Sequence, residues 1–104
     1  IAPIKACVSP LVKNKPELVE KARSVFVNLK KSFGSIVWDD NGNVGKRYRR
    51  QDEIGTPFCV VVDFDTLGEH PELLDTVTVR DRNTGKQDRV AIKDLEAYIS
   101  ERVK

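Results

Sequence analysis

The chain has 104 residues, of which 39% are hydrophobic and 33% are charged, and this composition is typical of one compact globular domain. No apolar run reaches the roughly eighteen residues of a membrane helix, and a net charge of +2 is too small to indicate nucleic-acid binding by itself. No signal-peptide pattern begins the chain, and the absence of methionine, with Ile1 first, predicts that it is cut from a longer protein.

The two cysteines bear on the compartment in which the protein works. Cys7 and Cys59 are far apart in sequence, and neither belongs to a CxxC pair or has a histidine nearby. Both stand in apolar, strand-like surroundings, so we expect buried, reduced thiols. This favours a reducing, cytoplasmic compartment.

The first half of the chain predicts a strand, a helix and a second strand. Residues 2–9 are apolar enough for a short central strand, which Pro10 is expected to end. A helix begins at Pro16, because proline suits the first helical position, and apolar residues then recur at helical spacing up to Phe33. Gly34 is a natural helix end, and residues 36–38 form the second strand.

The second half predicts a helix, a buried strand, a hairpin and a last helix. Turn-forming residues fill 39–45, and a short helix is expected over 44–54, with Val44 and Tyr48 on one face and Gly55 at its end. Residues 57–63 form the most apolar strand, of the fully buried kind. After a loop over 65–74, strands over 76–81 and 87–92 are joined by a turn at 83–86. The last helix begins at about residue 93 and places Leu95, Tyr98, Ile99 and Val103 on one face.

This order of elements predicts an α/β fold with a mixed five-stranded sheet flanked by three helices. The first strands are expected to pair in parallel through helical crossovers, and the hairpin adds antiparallel strands. No linker, repeat or low-complexity segment interrupts the chain, so we expect a single domain over residues 1–104.

Three apparent motifs have simpler interpretations. Asp39, Asn41 and Asn43 resemble the start of a calcium loop, but the required glycine and closing glutamate are absent, and a hydrogen-bonded turn is favoured. Asp63 follows a buried strand, as the nucleophile of some aspartate-dependent phosphatases does, but a solvated strand end is the simpler interpretation. His70 has no cysteine or second histidine near it, so we expect it to be exposed. No metal site and no catalytic nucleophile–base pair is predicted.

The short helix over 44–54 carries an unusual cluster of charges. Four cations lie within five residues, and neutral and anionic hydrogen-bonding groups follow them directly: Lys46, Arg47, Arg49 and Arg50, then Gln51, Asp52 and Glu53. A solvated helix face is the simplest interpretation. Arginine, however, both pairs with phosphate and stacks on bases. Carboxylates would repel a phosphate backbone, yet they accept hydrogen bonds from the exocyclic amino group of cytosine. With Arg80 and Arg82 as a second cluster, the pattern favours a surface for single-stranded RNA.

Two long blocks resemble a known family. GKRYRRQDEIGTPFCVVVDFDTL and DTVTVRDRNTGKQDRV are similar to the C-terminal anticodon-binding domain of dimeric class II glycyl-tRNA synthetases. The likeness also includes the opening IAPIKACVSPLVK, the block VWDDNGNVGKRYRRQDEIGTPF and the closing VAIKDLEAYI. The synthetases for threonine, proline and histidine share the fold and only a looser form of this pattern.

The resemblance implies a domain that binds the anticodon stem-loop of glycine tRNA, whose anticodon has cytosine at its second and third positions. Carried onto this chain, the family's base-contacting positions are Ser9, Pro10, Arg47, Arg49, Arg50, Gln51, Glu53, Arg80 and Arg82. Arg50, Gln51 and Arg80 are expected at base edges. Glu53 either accepts a cytosine amino group or orients Arg49. The other cations are expected to contact phosphates.

The resemblance also implies what belongs to the rest of a longer synthetase. The motifs for aminoacylation are absent here, so we expect no catalytic residue and no cofactor in this chain. ATP and magnesium are implied for the catalytic domain of the parent enzyme, a glycine–tRNA ligase, which is expected to be a cytoplasmic homodimer without membrane or DNA partners. The alternatives are an accessory or protein-interaction domain that keeps this fold without binding tRNA, and the aspartate-dependent phosphatase.

Overall fold

The computed structural model describes residues 4–102, and the order of elements matches the sequence prediction. The elements are β1 Ala6–Pro10, α1 Pro16–Phe33, β2 Ile36–Trp38, α2 Val44–Ile54, β3 Phe58–Val62, β4 Thr76–Asp81, β5 Gln87–Ala91 and α3 Ile92–Arg102.

Several boundaries differ from the prediction, and β3 and β5 are both shorter than predicted, ending at Val62 and Ala91. The described part of β1 begins at Ala6, while predicted positions 2 and 3 lie outside the described residues. Pro10 belongs to the strand as its last residue. The predicted loop over 65–74 contains a 3-10 turn at Pro71–Leu73, closed by a 2.8 Å hydrogen bond from the Leu73 N–H to the His70 carbonyl. Helix α3 begins one residue early, and Val103, expected on its apolar face, lies outside the described residues.

The five strands form one mixed sheet in the order β2-β1-β3-β4-β5. Strand β1 lies between β2 and β3 and pairs with both in parallel, whereas β3–β4 and β4–β5 are antiparallel. The predicted mixed five-stranded sheet with three helices is therefore confirmed. Because the carboxyl ends of β1 and β2 lie at the same edge of the sheet, the turn after β2 and the start of α2 lie beside Pro10.

One face of the sheet forms the hydrophobic core with α1 and α3. Side chains alternate between the two faces along a strand, so every second strand residue points into this core. The buried members are Ala6, Val8, Leu18, Ala22, Val25, Leu29, Ile36, Phe58, Val60, Val62, Val77, Val79, Val90, Leu95 and Ile99. Continuous burial along β1 and β3 means that the opposite face of these strands is covered as well.

Helix α2 covers that opposite face. Arg80 lies directly across from Cys59 and shares its face, while the neighbouring Val60 points into the core. Arg80 contacts Tyr48 and Asp52 of α2, so the helix packs on the side of the sheet away from α1 and α3. The helix begins with the Asn43 side chain accepting from the Lys46 N–H at 2.9 Å, and it ends at Gly55 with φ +95°.

The cysteines lie beneath α2. Cys7 and Cys59 are directly opposite each other in the β1–β3 pair, and both are buried and free, as predicted. The pKa of the Cys7 thiol is raised, because its hydrogen bond with Cys59 and its burial both favour the protonated form.

Candidate nucleic-acid interface

Arg47 anchors α2 to the sheet. Only 4% of it is exposed. Its Nε donates to the Gly42 carbonyl at 3.0 Å, and its Nη1 donates to the Pro10 carbonyl at 2.5 Å. Both bonds go to backbone of this chain, so in this arrangement the guanidinium ties the start of α2 to the end of β1.

Gln51 lies one turn further along the same buried face of α2 and is 3% exposed. Its Nε2 donates to Asp39 at 2.9 Å, and its Oε1 accepts from the Thr56 hydroxyl at 2.7 Å. Both ends of the amide are thus satisfied inside the protein. Gln51 therefore connects Asp39, in the turn after β2, to Thr56, which lies just beyond the end of α2.

Asp39 is a buried carboxylate at the end of β2. Besides Gln51, it binds the Arg50 Nη1, which lies 2.6 Å from both of its oxygens, and the Asn41 N–H at 3.2 Å. Burial opposes ionisation of Asp39, but the hydrogen bonds from Gln51 and Arg50 outweigh it and lower the pKa of the carboxyl. Arg50 remains 41% exposed at its side chain, so it can reach a ligand while Asp39 holds one of its nitrogens.

A second ion pair joins α2 to β4. The two terminal nitrogens of Arg80 bind the two oxygens of Asp52 at 2.9 and 3.1 Å. The guanidinium carbon lies 4.7 Å from the centre of the Tyr48 ring, which is within cation–π distance. Arg82 Nε donates to the Asp52 backbone carbonyl at 3.0 Å, so Asp52 holds both Arg80 and Arg82. The hydrogen bonds from Arg80 lower the pKa of the Asp52 carboxyl.

The remaining predicted residues divide into exposed and covered groups. Arg49 and Glu53 are exposed, and within residues 4–102 neither forms an ion pair or a side-chain hydrogen bond. The contact expected between Glu53 and Arg49 is therefore not formed in this structure. Ser9 is only 4% exposed and Pro10 is buried, so the end of β1 offers little side-chain surface.

The structure brings the predicted residues of α2, β4 and the end of β1 to one side of the sheet. It also adds three residues that the sequence analysis did not assign to the site: Asp39 and Asp52 hold Arg50 and Arg80, and Tyr48 lies against Arg80. The covered face of α2 is polar, because Arg47 and Gln51 lie beside Val44 and Tyr48. Their four-residue spacing along this stripe is the signal that could have indicated burial.

Beyond α2, the face of β4 and β5 carries a separate polar cluster. Arg89 binds both oxygens of Asp63, at 3.3 and 2.5 Å, and also the hydroxyls of Thr76 and Thr78. Burial raises the pKa of Asp63, but the bonds from Arg89 outweigh it and lower the pKa. The expectation that Asp63 is a solvated strand end is wrong, because Arg89 of β5 forms an ion pair with its carboxylate.

The structure also bears on the histidine, on metal sites and on membrane helices. His70 is exposed, as predicted, and its Nδ1 lies against Asp65, whose hydrogen bond raises the pKa of His70. Over residues 4–102 no cluster of histidine, cysteine and acidic side chains has the geometry of a metal site. In the same part of the chain, no helix has both the length and the apolar character needed to cross a membrane.

The mixed α/β domain, with a helix and a hairpin that carry arginine–carboxylate pairs on one side of the sheet, matches one family of nucleic-acid-binding domains. Residues 5–102 match the family described as "Anticodon binding domain", and the chain belongs to that family.

Proteins similar to this chain include several named glycine–tRNA ligase. The chain is 49% identical over 109 residues to the ligase of Thermus thermophilus and 47% identical over 109 residues to that of Deinococcus radiodurans, matching all of this chain and 22% of each relative. It is 51% identical over 104 residues to the ligase of Clostridium acetobutylicum, again over the whole chain and 21% of the relative. The resemblance to glycyl-tRNA synthetases is thereby confirmed, and the chain spans about a fifth of the length of these curated relatives.

Proposed function

We propose that this chain is the domain with which a glycine–tRNA ligase binds the anticodon stem-loop of glycine tRNA. The match of residues 5–102 to the anticodon-binding family carries the proposal. Relatives that are about 50% identical and are named glycine–tRNA ligase support the choice of tRNA. The mixture of guanidinium and carboxylate groups on one side of the sheet supports it chemically, because cytosine offers both acceptors and an amino donor.

The exposed and partly exposed arginines are the proposed RNA contacts. Arg50 and Arg80 each keep N–H donors beyond those used by their aspartates, since a guanidinium has five. They are proposed to donate to base edges. Arg49 and Arg82 are exposed and are proposed to contact phosphates, while Glu53 is a proposed acceptor for an amino group.

The buried members of the predicted site have a different proposed role. The hydrogen bonds of Arg47 and Gln51 are made within the protein, so we propose that these residues position α2 and its exposed side chains. Ser9 and Pro10 then shape the site, and the backbone carbonyl of Pro10 holds Arg47. Direct contact of these four residues with RNA would require movement of α2.

The remaining functions belong to the longer protein. We propose that residues 1–104 form one domain of a glycine–tRNA ligase that is a cytoplasmic homodimer. ATP and magnesium would act in its catalytic part, outside this chain. Because the chain spans 22% of the ligase of Thermus thermophilus, most of such a protein lies elsewhere.

The experiment is aminoacylation by the full-length protein on glycine tRNA transcripts in which either anticodon cytosine is replaced. We expect Arg50→Ala and Arg80→Ala to reduce the discrimination against the replaced anticodons by about tenfold each, because one good base contact is worth roughly 1–3 kcal/mol. Arg23→Ala is the matched control, since Arg23 is an exposed arginine on α1, on the opposite face of the sheet. Unchanged discrimination in both variants would refute the base-contact assignment, and a wild-type protein indifferent to the anticodon would favour a protein-interaction domain.

A further inference from the structure

Asp52 connects α2 to Arg80 and Arg82, the two parts of the proposed interface. It is not among the residues that the family resemblance assigns to RNA contact. Its carboxylate binds Arg80 through both oxygens, and its backbone carbonyl binds Arg82. One residue of α2 therefore fixes both Arg80 and Arg82. Its side chain is nevertheless 34% exposed, more than the 18% of Arg80, so the carboxylate is the more accessible half of the pair.

The pair retains hydrogen-bonding capacity on both sides. Each Asp52 oxygen accepts one bond from Arg80 and has a second lone pair available. Arg80 uses one N–H of each terminal nitrogen, which leaves three donors, including Nε. The guanidinium carbon of Arg80 lies over the Tyr48 ring, 4.7 Å from its centre, so the ring limits the space in which the guanidinium can move. The result is an anionic acceptor fixed beside a row of donors.

This arrangement complements the pairing edge of cytosine. Cytosine presents an amino donor followed by two acceptors, N3 and O2, whereas uracil presents an acceptor where cytosine has its amino group. An ionised carboxylate only accepts hydrogen bonds, and Asp52 is ionised at neutral pH, since the bonds from Arg80 lower its pKa further below an already acidic value. Uracil would therefore place a carbonyl oxygen against a carboxylate, and two acceptors in contact repel each other.

We infer that Asp52 is a specificity-determining residue that accepts a hydrogen bond from the amino group of one anticodon cytosine while it positions Arg80 for the ring acceptors of the same base. This inference rests on the proposed function and goes beyond the sequence prediction, in which Glu53 either accepts a cytosine amino group or orients Arg49 and Asp52 has no assigned base contact. Among residues 4–102 Glu53 forms no ion pair or side-chain hydrogen bond with an arginine, so it is not held beside a row of donors as Asp52 is.

The test exchanges an acceptor for a donor at one atom. The full-length protein is assayed with glycine tRNA transcripts carrying cytosine or uridine at each of the two anticodon positions. Asp52→Asn presents an amide N–H to the base, which suits the uracil carbonyl. We expect the preference for cytosine over uridine to fall about tenfold or more at one position and to stay unchanged at the other. Asp52→Ser, whose hydroxyl both donates and accepts, should also reduce the preference at that same position.

Two control variants separate this role from a structural one. Asp63→Asn changes another carboxylate that binds an arginine of the same sheet, and its cytosine preference should equal that of the wild type. Glu53→Gln tests the other proposed acceptor and should keep the preference at the anticodon position that Asp52→Asn affects. Because the readout is a ratio within one protein preparation, a partly unfolded variant lowers both rates and leaves the ratio unaffected.

The possible outcomes are distinct. A wild-type protein without preference at either position refutes the proposed function and this inference together. A wild-type preference that survives in both Asp52 variants refutes the inference alone, even if their activity falls. Loss of the preference at one position in Glu53→Gln, with no loss there in the Asp52 variants, would assign that acceptor to Glu53 and also overturn the inference.

Discussion

Replacement of Arg47 by alanine separates a structural arginine from an RNA-binding one. The substitution removes two hydrogen bonds from a charged donor, to the carbonyls of Gly42 and Pro10. A bond of this kind contributes about 1.5 kcal/mol at the low end of its range, so the two together contribute about 3 kcal/mol. For a domain of this size, that loss corresponds to a decrease in Tm of roughly 12–24 °C.

Urea unfolding of the chain, followed by circular dichroism, measures this loss. Arg49→Ala is the matched control, because Arg49 is an exposed arginine two residues away on the same helix. Its unfolding free energy should stay within about 0.5 kcal/mol of the wild type. In tRNA binding, Arg49→Ala is instead the variant with a direct effect. Loss of its exposed phosphate contact should reduce the slope of log binding constant against log salt concentration by about 0.7. If Arg47→Ala unfolds like the wild type and Arg49→Ala does not, the structural role assigned to Arg47 is wrong.

Two further predictions concern acid stability and thiol reactivity. The pKa of Asp39 is lower in the folded chain than its ordinary value of 3.8, so its contribution to stability is complete above about pH 4 and is lost as the pH falls through the folded-state pKa. Unfolding free energies measured from pH 6 to pH 2 should therefore fall less steeply in Asp39→Asn than in the wild type, and equal slopes would contradict the assignment. Cys7 and Cys59 are buried, so a thiol reagent should label them only as fast as the chain opens, and Cys59→Ser should leave Cys7 equally protected. Rapid labelling of Cys7 in folded protein would show that α2 does not cover the sheet as described.

Local patterns in the sequence predicted the elements well, because they depend on neighbouring residues. The bounds of α1 follow from Pro16 at its start and Gly34 just beyond its end, and apolar spacing between them determines the buried face. The continuous apolar run of β3 indicated burial on both faces, which the packing of α2 explains. The 3-10 turn at Pro71–Leu73 was missed, because three residues give no periodic pattern.

The candidate site was predictable as a region but not as a set of roles. The charge cluster of α2 and the arginines of the hairpin were visible in the sequence, and they do lie on one side of the sheet. The polar side chains of Arg47 and Gln51 have no hydrophobic signal, and only their four-residue spacing beside Val44 and Tyr48 indicates that they face inward.

The sequence by itself determined the element order, the mixed sheet and the concentration of cations on α2. Only the tertiary structure decided which of these cations is buried, which is paired and which is exposed. The reason is the separation of the partners along the chain: Arg47 binds a carbonyl 37 residues away, Arg80 binds a carboxylate 28 residues away, and Arg50 binds one 11 residues away. Such contacts form only when the strands order as β2-β1-β3-β4, which places Asp39 and Arg80 on either side of α2.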